Sequence, residues 1–223
     1  MRPSEQAAML LFFEISPEAI IEHDHWHSHE HIEERLSIPG FLRATRWRDC
    51  NRENSYFVMY EVENIGVLSS PAYLERLNHP SPWTTQIMNQ YRGMQRGLCK
   101  NILSAGGGLG QGMMTIHFQP IDGKKADFFA WLENEILPVF PFKPGLASID
   151  LYASAITAQM TKEQTIRGKD QDVQWVLLAS GYDMKTLEKL AEETLSTQQF
   201  ENNGARIVSS KCYQLEFLMD SLR

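Results

Sequence analysis

The sequence lacks most of what would mark a disulfide scaffold, a membrane span or a nucleic-acid coat. Its three cysteines, Cys50, Cys99 and Cys212, are far apart and outside any C-x-x-C pair, which argues against a disulfide framework and against a zinc knuckle. They read as reduced, strand-borne small hydrophobes. There is no basic excess: 21 Lys and Arg face 28 Asp and Glu, a formal net charge of -7. A counterion-releasing grip on nucleic acid needs the opposite balance, so neither nucleic acid nor a membrane is an expected partner. Long apolar runs are missing as well. Ala7 to Phe13 is seven residues long and is closed by Glu14, whereas a bilayer span needs roughly 20. Arg2 precedes that run, but no small-x-small cleavage site follows, and a cytoplasmic protein is the expectation. The glycine-rich stretch 106–112 matches neither G-x-G-x-x-G nor a Walker loop and precedes a strand instead of a helix, and no G-x-S-x-G elbow occurs.

What is present is an ordinary apolar fraction, 43% of 223 residues, enough to bury one large core or two small ones. Residues 7–16 read as a strand, and Ser16-Pro17 opens a helical stretch to about Leu36 that Ile38-Pro39-Gly40 ends. The runs 41–50 and 55–63 form a predicted hairpin across the polar turn 51–54. A helical stretch at 68–90 is interrupted by Pro80 and Pro82, and 91–103 supplies a last strand. After 104 the composition shifts to AGGGLGQG, read as a flexible joint. The same order then returns, with strands at 113–120, 146–154, 173–181 and 205–219 and helices at 126–139 and 184–200. The polar connection 155–172 is expected to be a mobile loop near a mouth.

The repetition extends to single residues. Trp26, Glu30, Pro39 and Gly40 recur as Trp131, Glu135, Pro144 and Gly145, each displaced by 105 positions. Repeats of this kind decide the architecture. The expected organisation is a first ferredoxin-like repeat over 1–104 with a disordered tail at 1–6, a linker over 105–112, and a second repeat over 113–223. Several strands are apolar at nearly every position (9–13, 56–60, 175–179), so both sheet faces should be covered. Helices can cover one face of each four-stranded sheet and leave the other to meet a second sheet. The expected fold class is therefore α+β: two βαββαβ repeats forming a barrel within one chain, with a ligand-sized gap.

At this point the residues carry a family resemblance. The segment with Trp26, Glu30-His31, Glu34-Arg35-Leu36 and Ile38-Pro39-Gly40-Phe41, followed by Arg43 and Trp47, resembles the dimeric α+β barrel superfamily and in particular its EthD-like branch. Ser70-Pro71-Ala72-Tyr73-Leu74 and Pro82-Trp83-Thr84 are similar to that branch too. The resemblance covers nearly all of the first half. The second half keeps only the Trp, Glu and Pro-Gly skeleton and has Ile136 where the first has His31. It implies ferredoxin-like halves, paired sheets, and a small hydrophobic or aromatic molecule held between sheet and helix. The reaction stays open, because the superfamily includes cofactor-free oxygenases, isomerases, lyases and cyclases, haem-binding enzymes and proteins without known activity.

Five of the seven histidines stand in one run, His23, His25, His27, His29 and His31. On a helix His23, His27 and His31 form one stripe, His25 lies nearer the stripe of Ile21, Ile32 and Leu36, and His29 faces elsewhere. An i, i+4 histidine pair can grip a metal only if other elements converge on it, and a solvated helical face is the plainer reading. His31 is the candidate general acid/base, with Glu30 as the second catalytic candidate; a His31 paired simply with Glu34 is the structural alternative. Trp26 and Glu30 share a helix face and recur together, which also fits packing and helix anchoring. Trp26, His27, Trp47, Tyr56, Tyr60 and His117 are candidate walls of a substrate pocket, with core packing as the alternative for each. The leading expectation is an enzyme that moves a proton without an organic cofactor or metal. The rivals are a non-catalytic ligand-binding or accessory protein, and a haem or metal protein using His27, His31 or His117. Pairing into a homodimer is a further expectation.

Overall fold

A computed structural model describes residues 6–157 and 160–222. The expected disordered tail at 1–6 therefore lies, Gln6 apart, outside the described residues. In chain order the strands are β1 Ala7–Ile15, β2 Phe41–Asp49, β3 Arg52–Val62, β4 Tyr91–Gly106, β5 Gly112–Pro120, β6 Leu146–Ile156, β7 Gln171–Asp172, β8 Trp175–Gly181 and β9 Ala205–Asp220. The helices are α1 Ile20–Trp26, α2 Ile32–Leu36, α3 Pro71–Asn78, α4 Pro82–Met88, α5 Lys125–Trp131, α6 Lys162–Arg167, α7 Met184–Glu192 and α8 Thr197–Asn202. No helix among the described residues is long and apolar enough to cross a membrane.

The chain folds as two compact units. One is built from residues up to 100, from 154–173 and from 215 onward; the other is built from 101–153 and 174–214. For brevity these are the histidine unit and the second unit.

In the histidine unit, β1 is central: it pairs antiparallel with β3 from Ala7 opposite Val62 and with β4 from Ala7 opposite Lys100. β2 pairs with the outer side of β3. The short β7 runs parallel beside β4. Met9, Leu11 and Phe13 fall on one face of β1, as residues two apart must. The core of this unit gathers Trp26, Ile32, Phe41, Tyr56, Tyr60, Tyr73, Ile87 and Leu98. The helical stretch after β3 is interrupted at Pro80 and Pro82 as expected, α3 ending at Asn78 and α4 starting at Pro82, and Pro71 and Pro82 each stand first in their helix. Ser70 and Ser81 cap α3 and α4 by accepting from the backbone N–H of Tyr73 and Thr84, and a proline at the first helical position suits the helix N-terminus.

The segment between α1 and α2 is a π-helical turn, His27–His31, in which the Ile32 N–H bonds to the His27 carbonyl five residues back. The widened turn shifts the faces expected of a continuous α-helix. Ile21 and His25 are exposed while Ile32 and Leu36 are buried, so the predicted stripe joining them does not form. The other stripe does form: the rings of His23 and His27 stack at 5.4 Å and those of His27 and His31 at 5.7 Å.

The second unit repeats the plan. β5 pairs with β8 and β9, and β6 pairs with β8, all antiparallel. α5 runs into its own π turn, Leu132–Ile136, 105 residues after the first. Its core holds Phe118, Phe128, Trp131, Leu132, Ile136, Phe140 and Phe200. Gly106 and Gly110, expected in a flexible joint, are tightly packed here. A Cβ on Gly106 would lie 2.2 Å from the Ala147 carbonyl oxygen, and one on Gly110 would lie 2.0 Å from that of Gly181. Gly106 also has a left-handed φ of +78°. The Gly110 N–H donates to Ser180 Oγ at 2.8 Å.

Two other expectations change. Cys99 is buried on β4, where desolvation pushes its thiol up to about 12, but Cys50 sits exposed in a turn and is not strand-borne. The connection 155–172 carries α6, whose Thr161 forms a capping box with Gln164. Thr161, Glu163 and Gln164 are buried, so α6 turns one side into the histidine unit.

Candidate functional site

The candidate site is a hollow inside the histidine unit, between the β1–β4 face of the sheet and its helices. Met9, Leu11, Phe13, Tyr91, Met94 and Arg96 line it from the strands. His27, His31, Arg35, Tyr73, Leu77 and Met88 line it from the helices after β1 and β3, and Glu163 and Arg167 from α6. Its cavity volume is about 20 Å³, room for one or two water-sized molecules.

His31 meets this hollow at the end of the histidine stripe. It is 6% exposed, lies against the Trp26 indole with ring centroids 4.3 Å apart, and its Nδ1 is buried without a hydrogen-bond partner. Burial, reinforced by the positive charges of Arg35 and Arg167, holds its pKa well below the ordinary 6.5. It is therefore neutral at physiological pH. No contact with Glu34 accounts for its position; Glu34 faces Arg76 instead, at 3.6 Å.

His27 is engaged at both nitrogens. Arg46 Nη1 approaches its Nδ1 at 3.4 Å, and Tyr60 Oη lies 3.2 Å from its Nε2. Arginine is always a donor, so Nδ1 accepts and Nε2–H donates to Tyr60. Burial also keeps His27 neutral. His23 donates from Nδ1 to Asp24 Oδ1 at 3.0 Å. Asp24 further accepts from Tyr56 Oη at 3.0 Å and from Arg48 Nη2 at 2.6 Å. Burial opposes ionisation of Asp24, yet the His23 hydrogen bond and the two arginines hold its pKa below the usual carboxylate value.

Charge enters the site from residues that the sequence reading did not single out. Arg35 Nη2 donates to Glu163 Oε1 at 2.5 Å, with both side chains buried. Arg167 Nη2 donates to Asp170 Oδ2 at 2.7 Å, and Arg96 Nη1 lies 3.6 Å from the same oxygen. Arg96 Nη2 also donates to Tyr73 Oη at 3.1 Å. A signal existed for Arg35, which stands four residues after His31 on the same stripe. Glu163, Arg167 and Asp170 lie in the stretch read as a loop, and nothing local in it points toward residue 35.

The other sequence candidates fall elsewhere. Glu30 Oε1 accepts from Trp26 Nε1 at 3.1 Å, Ser81 Oγ at 2.6 Å and Thr84 Oγ1 at 3.2 Å. It ties the histidine helix to the start of α4 and does not line the hollow. Trp26 backs His31. Trp47 is fully buried with its Nε1 on Thr45 Oγ1 at 2.9 Å. Tyr56 and Tyr60 serve Asp24 and His27 and stand behind the lining residues. His117 lies on β5 of the second unit, where burial lowers its pKa to about 4. Among the described residues no group of three or more His, Cys, Asp or Glu is arranged to hold a metal ion.

No protein-family model matches the sequence, and no curated protein matches it. Solved structures do match the fold. An anthrone oxidase-like protein superposes with a TM-score of 0.68 at 8% identity, covering 100% of this chain and 95% of its own. A proposed monooxygenase from Fusobacterium nucleatum gives 0.61 at 10% identity, covering 100% and 96%. A variant chlorite dismutase from Candidatus Nitrospira defluvii gives 0.57 at 10%, covering 96% and 92%. These likenesses define the class: a mixed α+β protein of the dimeric α+β barrel fold, with two ferredoxin-like halves in one chain. At such identities they define nothing finer.

Proposed function

We propose that this chain is a small-molecule enzyme in which neutral His31 accepts a proton from a substrate held in the hollow, without an organic cofactor. One observation carries the reading. Displaced by 105 positions, the residues matching His23, His27, His31 and Arg35 are Phe128, Leu132, Ile136 and Phe140, and all four are buried in the second unit's core. The same helix and π turn are thus filled with hydrocarbon in one unit and with imidazole in the other, and Phe140, in the 3-10 turn that follows, stands where the first unit has the Arg35 guanidinium. Packing alone does not require the polar set, and burying it without full partners is costly. Such expense concentrates where chemistry is done.

In the proposed step a C–H or O–H bond of the substrate breaks, the proton passes to His31 Nδ1, and the electron pair stays on the substrate. The resulting anion lies beside the Arg35 and Arg96 guanidiniums, which offset its charge in a dry site. The low basicity of His31 keeps it unprotonated and ready; its protonated form is stabilised only while the anion is present. His27, engaged at both nitrogens, is a spacer and not a second base. The EthD-like resemblance and the apolar walls favour a hydrophobic or aromatic substrate. A ring enters the small hollow only by displacing side chains, and Met9, Met88 and Met94 are unbranched and pliant enough to move. The small closed volume also favours the rival reading, a non-catalytic ligand-binding protein.

Hydrogen–deuterium exchange separates the two. The full chain is incubated in D2O with a panel of small carbon acids (1,3-diketones, 2-oxo acids, hydroxyarenes), and label uptake is read by mass spectrometry. Catalysed exchange of at least one member, lost in His31→Gln and kept in His117→Gln, is the expected result; no exchange above background, or exchange indifferent to His31, refutes the proposal.

A further inference from the structure

The hollow holds more cationic donors than the protein itself satisfies. Three guanidiniums, Arg35, Arg96 and Arg167, line it, and the carboxylates set against them are Glu163, which also lines it, and Asp170. The two histidines at the wall are neutral, so the cluster carries one positive charge in excess. The surplus is also seen atom by atom: Arg35 Nη1 and both Nε and Nη1 of Arg96 are buried without a hydrogen-bond partner. Arg35 and Arg96 are 1% and 6% exposed, which keeps both away from bulk solvent. An unpaired buried charge is among the most unfavourable features a fold can carry. The counterpart that removes the penalty is an anion with oxygen acceptors, since a guanidinium fork matches a planar oxyanion in geometry and charge.

We infer that the hollow is a binding site for a small planar oxyanion, and that the substrate or ligand taken there presents a carboxylate or a like group to the unpartnered donors of Arg35 and Arg96. Its size fits that group and not a bulky tetrahedral one: about 20 Å³ is close to one or two waters. The inference uses the same hollow as the proposed proton transfer and names the chemical group recognised there. The site is completed by the connection between β6 and β8, because Glu163 and Arg167 both come from α6 and Asp170 follows it. Glu163 and Asp170 hold the arginines in place; Arg35 and Arg96 keep unpartnered donors, whereas Arg167 is engaged at all three nitrogens with Asp170, Met88 and Glu163 and adds only its charge. The groups that face the anion are therefore Arg35 and His31 from the histidine helix, Arg96 from β4 and Arg167 from α6, with Glu163 as the one carboxylate at the wall.

The test titrates the full chain with sodium formate, and separately sodium nitrate, at constant ionic strength made up with sodium sulfate. Two signals are followed: the melting temperature and the arginine Nε–H resonances. Saturable binding should raise the melting temperature by roughly 5–10 °C at a hundredfold excess over Kd and shift the Arg96 Nε–H signal. Arg35→Lys and Arg96→Lys keep the charge but lose the fork, and should each weaken formate binding about tenfold or more. Should either variant fail to fold, the resonance shift in the unaltered chain still decides. No saturable effect in either signal, or one unchanged in both lysine variants, overturns the inference. The two readings fail separately. Formate binding by a protein that exchanges no carbon acid leaves the anion site standing and removes the proton transfer; exchange without anion binding does the reverse.

Discussion

Arg35 and Glu163 stand 128 residues apart and meet at 2.5 Å with both side chains buried. This ion pair ties the π-turned histidine helix to α6. Removing one partner leaves the other as an uncompensated buried charge, so Arg35→Met or Glu163→Leu alone should lower unfolding free energy by about 3–5 kcal/mol. The double replacement should cost clearly less than the sum. Urea denaturation of all four proteins in the cycle measures this, and additive losses would mean that the pair is not coupled.

His23, His27 and His31 make stability depend on pH with a defined sign. Burial depresses all three in the folded state, so the unfolded chain takes up their protons first as pH falls through about 6.5. Their contribution is therefore present above that pH and is lost below it, at up to ~1.4 kcal/mol per pH unit for each site. Melting temperature followed from pH 7.5 down to 5 should drop, and His31→Ile, which copies Ile136, should flatten the slope. A variant slope equal to that of the parent would mean His31 is not neutral when folded.

Glu30 is an anchor for three donors, and its replacements should say so. Glu30→Ala should destabilise the chain by roughly 1–3 kcal/mol through the loss of its bonds to Trp26, Ser81 and Thr84, while Glu30→Gln, which keeps an acceptor, should cost less. Neither should move the pH profile of any exchange activity. A profile that loses an acidic limb in Glu30→Gln would make Glu30 a catalytic group.

The glycine stretch gives a contrast within a few residues. Gly110→Ala would force a Cβ to 2.0 Å from the Gly181 oxygen and should cost about 3 kcal/mol or more. Gly107→Ala meets nothing within 4 Å and should stay within about 0.5 kcal/mol. Thermal unfolding of both variants checks the pair; equal effects would mean the stretch is loose.

Periodicity made the repeat, the strands and the histidine stripe readable, because an apolar run of strand length and a helix broken by Pro-Gly leave local marks. The π turn leaves no such mark, which is why Ile21 and His25 were assigned to a buried stripe that does not form. The hollow was half readable: His31 and, four residues on, Arg35 stand in one row. Its charged wall was hidden because Glu163, Arg167 and Asp170 lie in a polar stretch whose composition is that of a loop, and only the fold brings them to Arg35 and Arg96. Trp47, Tyr56 and Tyr60, read as walls of a pocket, turn their polar tips toward Thr45, Asp24 and His27 instead of the hollow.

The central claim, a neutral His31 set beside anion-seeking arginines, is tested most directly by titrating the His31 ring nitrogens by 15N NMR with and without sodium formate. Alone, the ring should titrate well below the ordinary 6.5, and it should gain basicity when formate binds, since a nearby anion favours the imidazolium. A ring that titrates near 6.5 and ignores formate would contradict it.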